Sequence, residues 1–300
     1  IYSLGGGCTD GVGNVSYTIH SPSGGSDVSG SVACSSSAWS ATALNLSGLV
    51  DDGAITFNAT QTDSAGNSGV ASQLTTIKDT SAPIVSFNAV AGISLANVSA
   101  YSISGSCSSG DGNVSYSIHS PSGGSDVTGS VACSSSSWSA TNLNLSGLND
   151  DIAVTFNATQ TDGAGNTGAA GQLTAVKDTT APVLSINAVS TISSLNVSSY
   201  SISGTCSNGD GNVSYIIHSP SGGSNVTGSV ACSSSTWSAS ALNLSGLSDD
   251  IAVTFNATQT DSAGNTGAAA QMTAVKDTTA PVLSISAVST ISSSNESSYS

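Results

Sequence analysis

Six cysteines carry the clearest chemistry in this 300-residue chain, and their spacing decides what that chemistry is. Cys8, Cys107 and Cys206 recur every 99 residues, and Cys34, Cys133 and Cys232 follow them at a constant 26. No CxxC spacing occurs, and no histidine stands at zinc-ligand distance, so a metal knuckle is disfavoured. The simplest pairing is Cys8–Cys34, Cys107–Cys133 and Cys206–Cys232, with free buried thiols as the alternative. One disulfide per repeat implies an oxidising, extracytoplasmic compartment. Closing a loop of that length contributes roughly 3–4 kcal/mol through chain entropy if the bond is unstrained.

The other reactive side chains also come once or a few times per repeat. His20, His119 and His218 each precede a Ser-Pro turn, on the outer face of an alternating segment, and no second histidine is near in sequence. They read as surface histidines. The many serines lack a GxSxG elbow or a consistent base, so no nucleophile is indicated. Lys78, Lys177 and Lys276 each precede an aspartate and read as solvated linker residues. Acidic residues gather at Asp150-Asp151 and Asp249-Asp250, at Asp63, Asp162 and Asp261, and at Asp79, Asp178 and Asp277. Asp162 with Asn166 forms a natural Asx-turn. The Asn-x-Ser/Thr acceptor pattern recurs at Asn45, Asn58, Asn113, Asn144, Asn157, Asn212, Asn243 and Asn256, among others. It would suit N-glycosylation, although abundant Ser and Thr make chance matches common.

These residues must be positioned by a unit that is itself repeated. GNVSY recurs at 13, 112 and 211, and TFNATQTD at 56, 155 and 254. A period this strict is one structural unit copied in tandem. A 99-residue unit is near the commonest domain size and can bury its own core. In the second copy, Pro83–Val90 reads as a first strand, with proline marking a sheet edge. Tyr101–Cys107, Val114–Ile118, Val127–Cys133 and Trp138–Leu148 follow as further strands. Ile152–Ala158 alternates most clearly, with Ile152, Val154, Phe156 and Ala158 facing in. Gln172–Val176 closes the unit. Seven turn-separated strands and no helical period predict an all-β, seven-stranded antiparallel sandwich. Trp39, Trp138 and Trp237 read as core residues.

Composition narrows the function classes. The formal charge is −15 with three basic residues, which repels nucleic-acid phosphates. Charged residues are 7% of the chain, against about 25% in ordinary domains. No stretch approaches the roughly 20 apolar residues of a membrane helix. No signal peptide is visible at Ile1, and Ile1-Tyr2-Ser3 aligns with Ala100-Tyr101-Ser102 inside a strand-like run. The sequence therefore reads as a processed or excised part of a longer protein.

Ser203-Gly-Thr, Thr236-Trp-Ser-Ala, Leu242-Asn-Leu-Ser-Gly-Leu247, Thr260-Asp-Ser-Ala-Gly-Asn265 and Asp277-Thr-Thr-Ala-Pro281 occur in that order. This series resembles the bacterial Ig-like tandem repeats of long surface adhesins and biofilm proteins, in which a TDxAGN turn precedes the last strand and a DTTAP junction opens the next domain. The chain departs from that pattern in its disulfides, its low charge and its SSSxW segment. The resemblance sets the phase: residues 1–81 form a repeat lacking its first strand, 82–180 and 181–279 form whole repeats, and 280–300 supply the first strand of another. It implies no enzyme and no membrane insertion, but an extracellular rod or the subunit of a cell-surface filament. The alternative is an adhesin module that binds a host or neighbour-cell ligand. It also implies Ca²⁺ between domains, for which the aspartates at 63, 79, 150, 151, 162, 178, 249, 250, 261 and 277 are the candidate ligands. The expected partners are neighbouring copies, with donor-strand contact through 281–300.

Overall fold

In the computed structural model, residues 1–294 and 296–297 are described; Asn295 and residues 298–300, at the end of the expected extra strand, lie outside them. Those residues contain 21 strands and no helix. The first repeat holds β1 (Tyr2–Gly7), β2 (Val15–His20), β3 (Val28–Val32), β4 (Ala38–Leu44), β5 (Asp52–Thr62), β6 (Ser68–Val70) and β7 (Leu74–Lys78). The second holds β8 (Tyr101–Ser106), β9 (Val114–His119), β10 (Val127–Val131), β11 (Ser137–Leu143), β12 (Asp151–Thr161), β13 (Thr167–Ala169) and β14 (Leu173–Lys177). The third holds β15 (Tyr200–Thr205), β16 (Val213–His218), β17 (Val226–Val230), β18 (Thr236–Leu242), β19 (Asp250–Thr260), β20 (Thr266–Ala268) and β21 (Met272–Lys276). The chain divides into two compact units, one of Ile1–Ala91 with Ser99–Val176, the other of Gly92–Val98 with Lys177–Ser300.

Each repeat is an antiparallel sandwich of a two-stranded and a five-stranded sheet. In the third, β15 pairs β18, while the order β17-β16-β19-β20 is joined by β21 on β19. Alternation explains the layering. Val213 and Ile217 of β16 are fully buried, as are Val253 and Phe255 of β19, while the serines and threonines between them face outward. Ile202, Trp237, Ala239, Leu244 and Leu247 complete the core from the facing layer. Tyr215 lies across from Gly228, where a Cβ would come within 2.2 Å of its hydroxyl, so the neighbouring strand gives up a side chain to let the ring lie flat.

Four strand assignments differ from the sequence pattern. Pro83–Val90 is not a ladder strand. It donates Ser86 N–H to Ser106 O and Asn88 N–H to Ser104 O, but Ser86 O is taken by the Trp138 indole at 3.0 Å. The tryptophan uses the acceptor that a full ladder needs. Ile152 does not face in; it is 84% exposed, because Asp151 Oδ1 accepts Ala153 N–H and turns the start of β12. The strand opening at Trp138 ends at Leu143, after a register shift at Asn142, whose φ is +56°. Finally, β13 is a short strand after the Asp162 turn that the sequence pattern does not announce.

Candidate functional site

The cysteines close as Cys8–Cys34, Cys107–Cys133 and Cys206–Cys232, with Cα atoms 5.9–6.0 Å apart. Each bond ties the end of the first strand of its repeat to the loop after the third. Trp138 and Trp237 are buried, and their indoles donate to Ser86 O and Ser185 O. His20 and His119 stand half exposed, each Nδ1 2.7 Å from Asp27 or Asp126 Oδ1, while His218 faces Asn225 Oδ1 at 2.8 Å.

The lysines are not solvated. Lys177 and Lys276 are buried, and Lys276 Nζ donates to Asp249 Oδ1 at 2.6 Å. Lys78 makes the matching bond to Asp51. Thr278 adds its N–H and hydroxyl to Asp249. The Lys276 hydrogen bond, followed by the Thr278 N–H, lowers the Asp249 carboxyl from 3.8 to about 2. Lys78 and Thr80 lower Asp51 in the same way. Lysine sits at the last position of a strand whose inner face reaches the core, so its stem is covered while its head finds the loop carboxylate. A lysine beside a Thr-Ala-Pro junction gives no sequence hint of that partner, which lies 27 residues away.

The acidic turns hold loops. Asp162 Oδ1 accepts Ala164 and Asn166 N–H, and its Oδ2 accepts Asn166 Nδ2–H; the Asn166 side chain leads the causes that lower its carboxyl. Asp63 and Asp261 make the same set of bonds. At Asp261 burial pushes the carboxyl up, and the Asn265 and backbone donors outweigh it. Asp151 and Asp250 accept the backbone N–H two residues on and a serine hydroxyl, from Ser122 and Ser221. Asp79, Asp178 and Asp277 cap the junctions through Ser81, Thr180 and Thr279 N–H. Asp150 matches Asp249 in the repeat frame. Among the described residues no three His, Cys, Asp or Glu side chains converge on one point. Six or more oxygens are needed for Ca²⁺, and these carboxylates already face N–H and O–H donors, so the donor set does not fit that ion.

The TDxAGN asparagine has a further role that its turn motif does not reveal. Asn166 Nδ2–H donates to Asp79 O, and Asn265 Nδ2–H donates to Asp178 O, each 87 residues back in the chain. Asn265 Oδ1 also accepts Leu95 N–H at 2.8 Å. The turn thus grips the junction that precedes its own repeat. Among the acceptor asparagines, Asn45, Asn144 and Asn243 are exposed and accept the N–H two residues on, and Asn113 and Asn212 are exposed as well. Asn58, Asn157 and Asn256 are half-buried and accept from Gln73, Gln172 and Gln271.

A cavity of about 560 Å³ lies between Tyr2, Leu49, Phe57 and Lys78 of the first repeat and Asp111, Asp162 and Ala164 of the second. Two smaller hollows of about 280 and 140 Å³ flank Trp39 along β1 and β5.

No family model matches the chain, and no curated protein does. Among solved structures, the chain is similar to a tetra-tandem repeat in the extending region of a large adhesion protein, with 22% identity and a TM-score of 0.35 over 92% of this chain and 70% of that one. It is similar to a 1.5-MDa bacterial ice-binding adhesin, with 21% identity and a TM-score of 0.42 over 92% and 91%. It is also similar to the fibronectin(III)-like modules of Clostridium thermocellum CbhA, with 11% identity and a TM-score of 0.32 over 64% and 95%.

Proposed function

We propose that the chain is a non-enzymatic structural array working outside the cell at its surface, as a rod or as the subunit of a fibre whose partners are copies of the same chain. Residues 1–81, 82–180 and 181–279 are its repeating bodies. The observation that carries this reading is that chemistry-bearing side chains recur in each repeat, and the polar ones are spent on holding loops. A catalytic site needs unlike groups converging on a reacting atom. Here the recurring groups are a disulfide, a Lys–Asp pair, an Asp–Asn turn and a buried tryptophan. The disulfides support an oxidising location.

The mechanism is mechanical. Each disulfide shortens the length a repeat yields under load, and the asparagine grip limits play at the junction before it. Pulling single chains should give three similar unfolding events. Reduction should then lengthen each event by the span between its cysteines, 26 residues, or about 90 Å at ~3.5 Å per residue. Events unchanged by reductant would remove the mechanical role. Saturable binding of a glycan or protein by a single repeat would put an adhesive module in its place. Chelation is expected to leave the unfolding force unchanged; a Ca²⁺-dependent rise would return the ion to the junction loops.

A further inference from the structure

Each repeat has an exposed turn after its first cysteine, and a hairpin after its second. The turn residue differs between copies: it is Asp10 in the first, Ser109 in the second and Asn208 in the third, each followed by glycine. The hairpin residue does not differ. Ser37, Ser136 and Ser235 have φ of +61°, +59° and +59°. A non-glycine residue held in that region is strained, so a bond to its N–H helps keep the hairpin in place.

In two repeats the turn supplies that bond. Asp10 Oδ1 and Oδ2 accept Ser37 N–H at 2.9 and 3.0 Å, and Ser109 Oγ accepts Ser136 N–H at 2.8 Å. The third repeat lacks it. Among the described residues no hydrogen bond reaches the Asn208 side chain, and none uses Ser235 N–H. The chemistry of the amide explains the loss. Laid where the Asp10 carboxylate lies, it would set its own NH2 against the serine N–H, donor facing donor.

The residue after Asn208 opens a route to the missing acceptor. Asn208-Gly209 is the only Asn-Gly pair in the chain; every other asparagine precedes a residue whose Cβ crowds attack by the backbone nitrogen. Gly209 has φ of +97°, and a Cβ built on it would meet nothing within 4 Å. Among the described residues its N–H is given to no acceptor. Asn208 is exposed, so water reaches the same turn. No hydrogen bond holds the Asn208 amide away from the Gly209 nitrogen, whereas at Asp10-Gly11 both side-chain oxygens are engaged by Ser37.

We propose that Asn208 is a self-modification site, at which the third repeat makes its own hairpin acceptor. The Gly209 nitrogen attacks Asn208 Cγ and forms a cyclic imide. The Cγ–Nδ2 bond breaks, and ammonia leaves with the proton that Gly209 N–H gives up. Water then adds at Cγ and the imide N–Cγ bond breaks, which restores the backbone amide and leaves a carboxylate at residue 208. Water attack at the other imide carbonyl gives an isoaspartyl linkage instead, with the main chain rerouted through Cγ. The net change is side-chain amide plus water to carboxylic acid plus ammonia, with no oxidant and no enzyme. The aspartyl product offers Ser235 what Asp10 offers Ser37, and a carboxylate binds an N–H more strongly than a neutral oxygen does. The change concerns one turn of one repeat and does not depend on whether the array forms a rod.

The test keeps the whole chain warm at mildly alkaline pH and maps its peptides by mass over time. Asn208 should show the mass gain of an amide-to-acid change before any other asparagine, and an isoaspartyl methyltransferase should label the same peptide. Asn208→Gln, whose longer side chain closes the ring poorly, should lose most of that gain. An Asn208 that keeps its amide, or that converts no faster than the other asparagines or the glutamine variant, would overturn the proposal. The new bond is read in Asn208→Asp, which is the product made directly. Hydrogen exchange at Ser235 N–H should slow severalfold in this variant, relative to Asn208→Gln and to freshly prepared wild-type chain. Equal exchange in all three would overturn the proposal as well.

Discussion

Trp39 and Trp237 occupy the same position of the same sandwich, between the same glycine-bearing strands, and their surroundings differ. Trp237 donates its indole N–H to Ser185 O beneath a covering segment. Among the described residues nothing accepts from Trp39, which borders two hollows instead. Tyr2 is 40% exposed where Tyr200 is 3%. Gln259 is buried and its counterpart Gln61 is partly open, although each makes the same three bonds to a loop. The two hydrogen-bonded sheets of the first repeat are complete. The third repeat adds Pro182–Ile192, a segment that belongs to neither sheet by pairing.

The comparison breaks most easily at tryptophan. Trp237→Ala should cost the third repeat about 3–5 kcal/mol. Trp39→Ala should cost the first repeat less, by about 1 kcal/mol or more, because no hydrogen bond is lost and less surface is uncovered. Hydrogen exchange resolved by repeat, followed against denaturant, measures both. Equal losses would mean that the two tryptophans are equally covered in solution.

Glutamine gives a smaller effect. Gln259→Leu strands Ser207 N–H, Ser207 O and Gly211 O in a buried place, at about 1–3 kcal/mol. Gln61→Leu should cost less, since water reaches the matching groups.

Acid gives the smallest effect and sharpens what the repeats share. Asp51 and Asp249 titrate near 2 in the folded chain, against 3.8 for a free carboxyl. A lowered folded value means that stability is present above about pH 4 and falls away as pH drops toward 2. Both repeats should therefore lose stability across that window, and Asp249→Asn should flatten the dependence in the third repeat alone. Denaturant midpoints read by exchange at pH 5, 4, 3 and 2.5 would show it. A third repeat that stays pH-sensitive without Asp249 would shift the cause to Asp250 or Asp261.

Much of this was readable from residue order. The period, the alternation in Val154-Thr-Phe-Asn-Ala158 and one tryptophan per repeat point to a sandwich before any coordinate is known. Reading stopped where partners are distant in sequence or where one side chain replaces a backbone bond. The Trp138 indole takes the ladder acceptor of Ser86, so a strand-like segment pairs as something less than a strand. Asp151 bends the start of β12, so the first residue of a clean alternation, Ile152, points to solvent. Asn166 looks complete as a turn residue, and only its place against Asp79 O shows the second bond. The Ser135-Ser136 turn has φ of +50° and +59°, values usually met with Asn-Gly, so the serine run hides a tight hairpin.

The single lysine of each repeat also has a consequence for degradation. The chain contains three basic residues in all, and they are these lysines. Trypsin-like proteases cut after Lys or Arg, so only three bonds in the chain are open to them. Each scissile position ends a strand: Lys177 and Lys276 are buried, and Lys78 is paired with Asp51. A chain with so few basic residues, each ending a strand, offers such enzymes few open bonds while it stays folded.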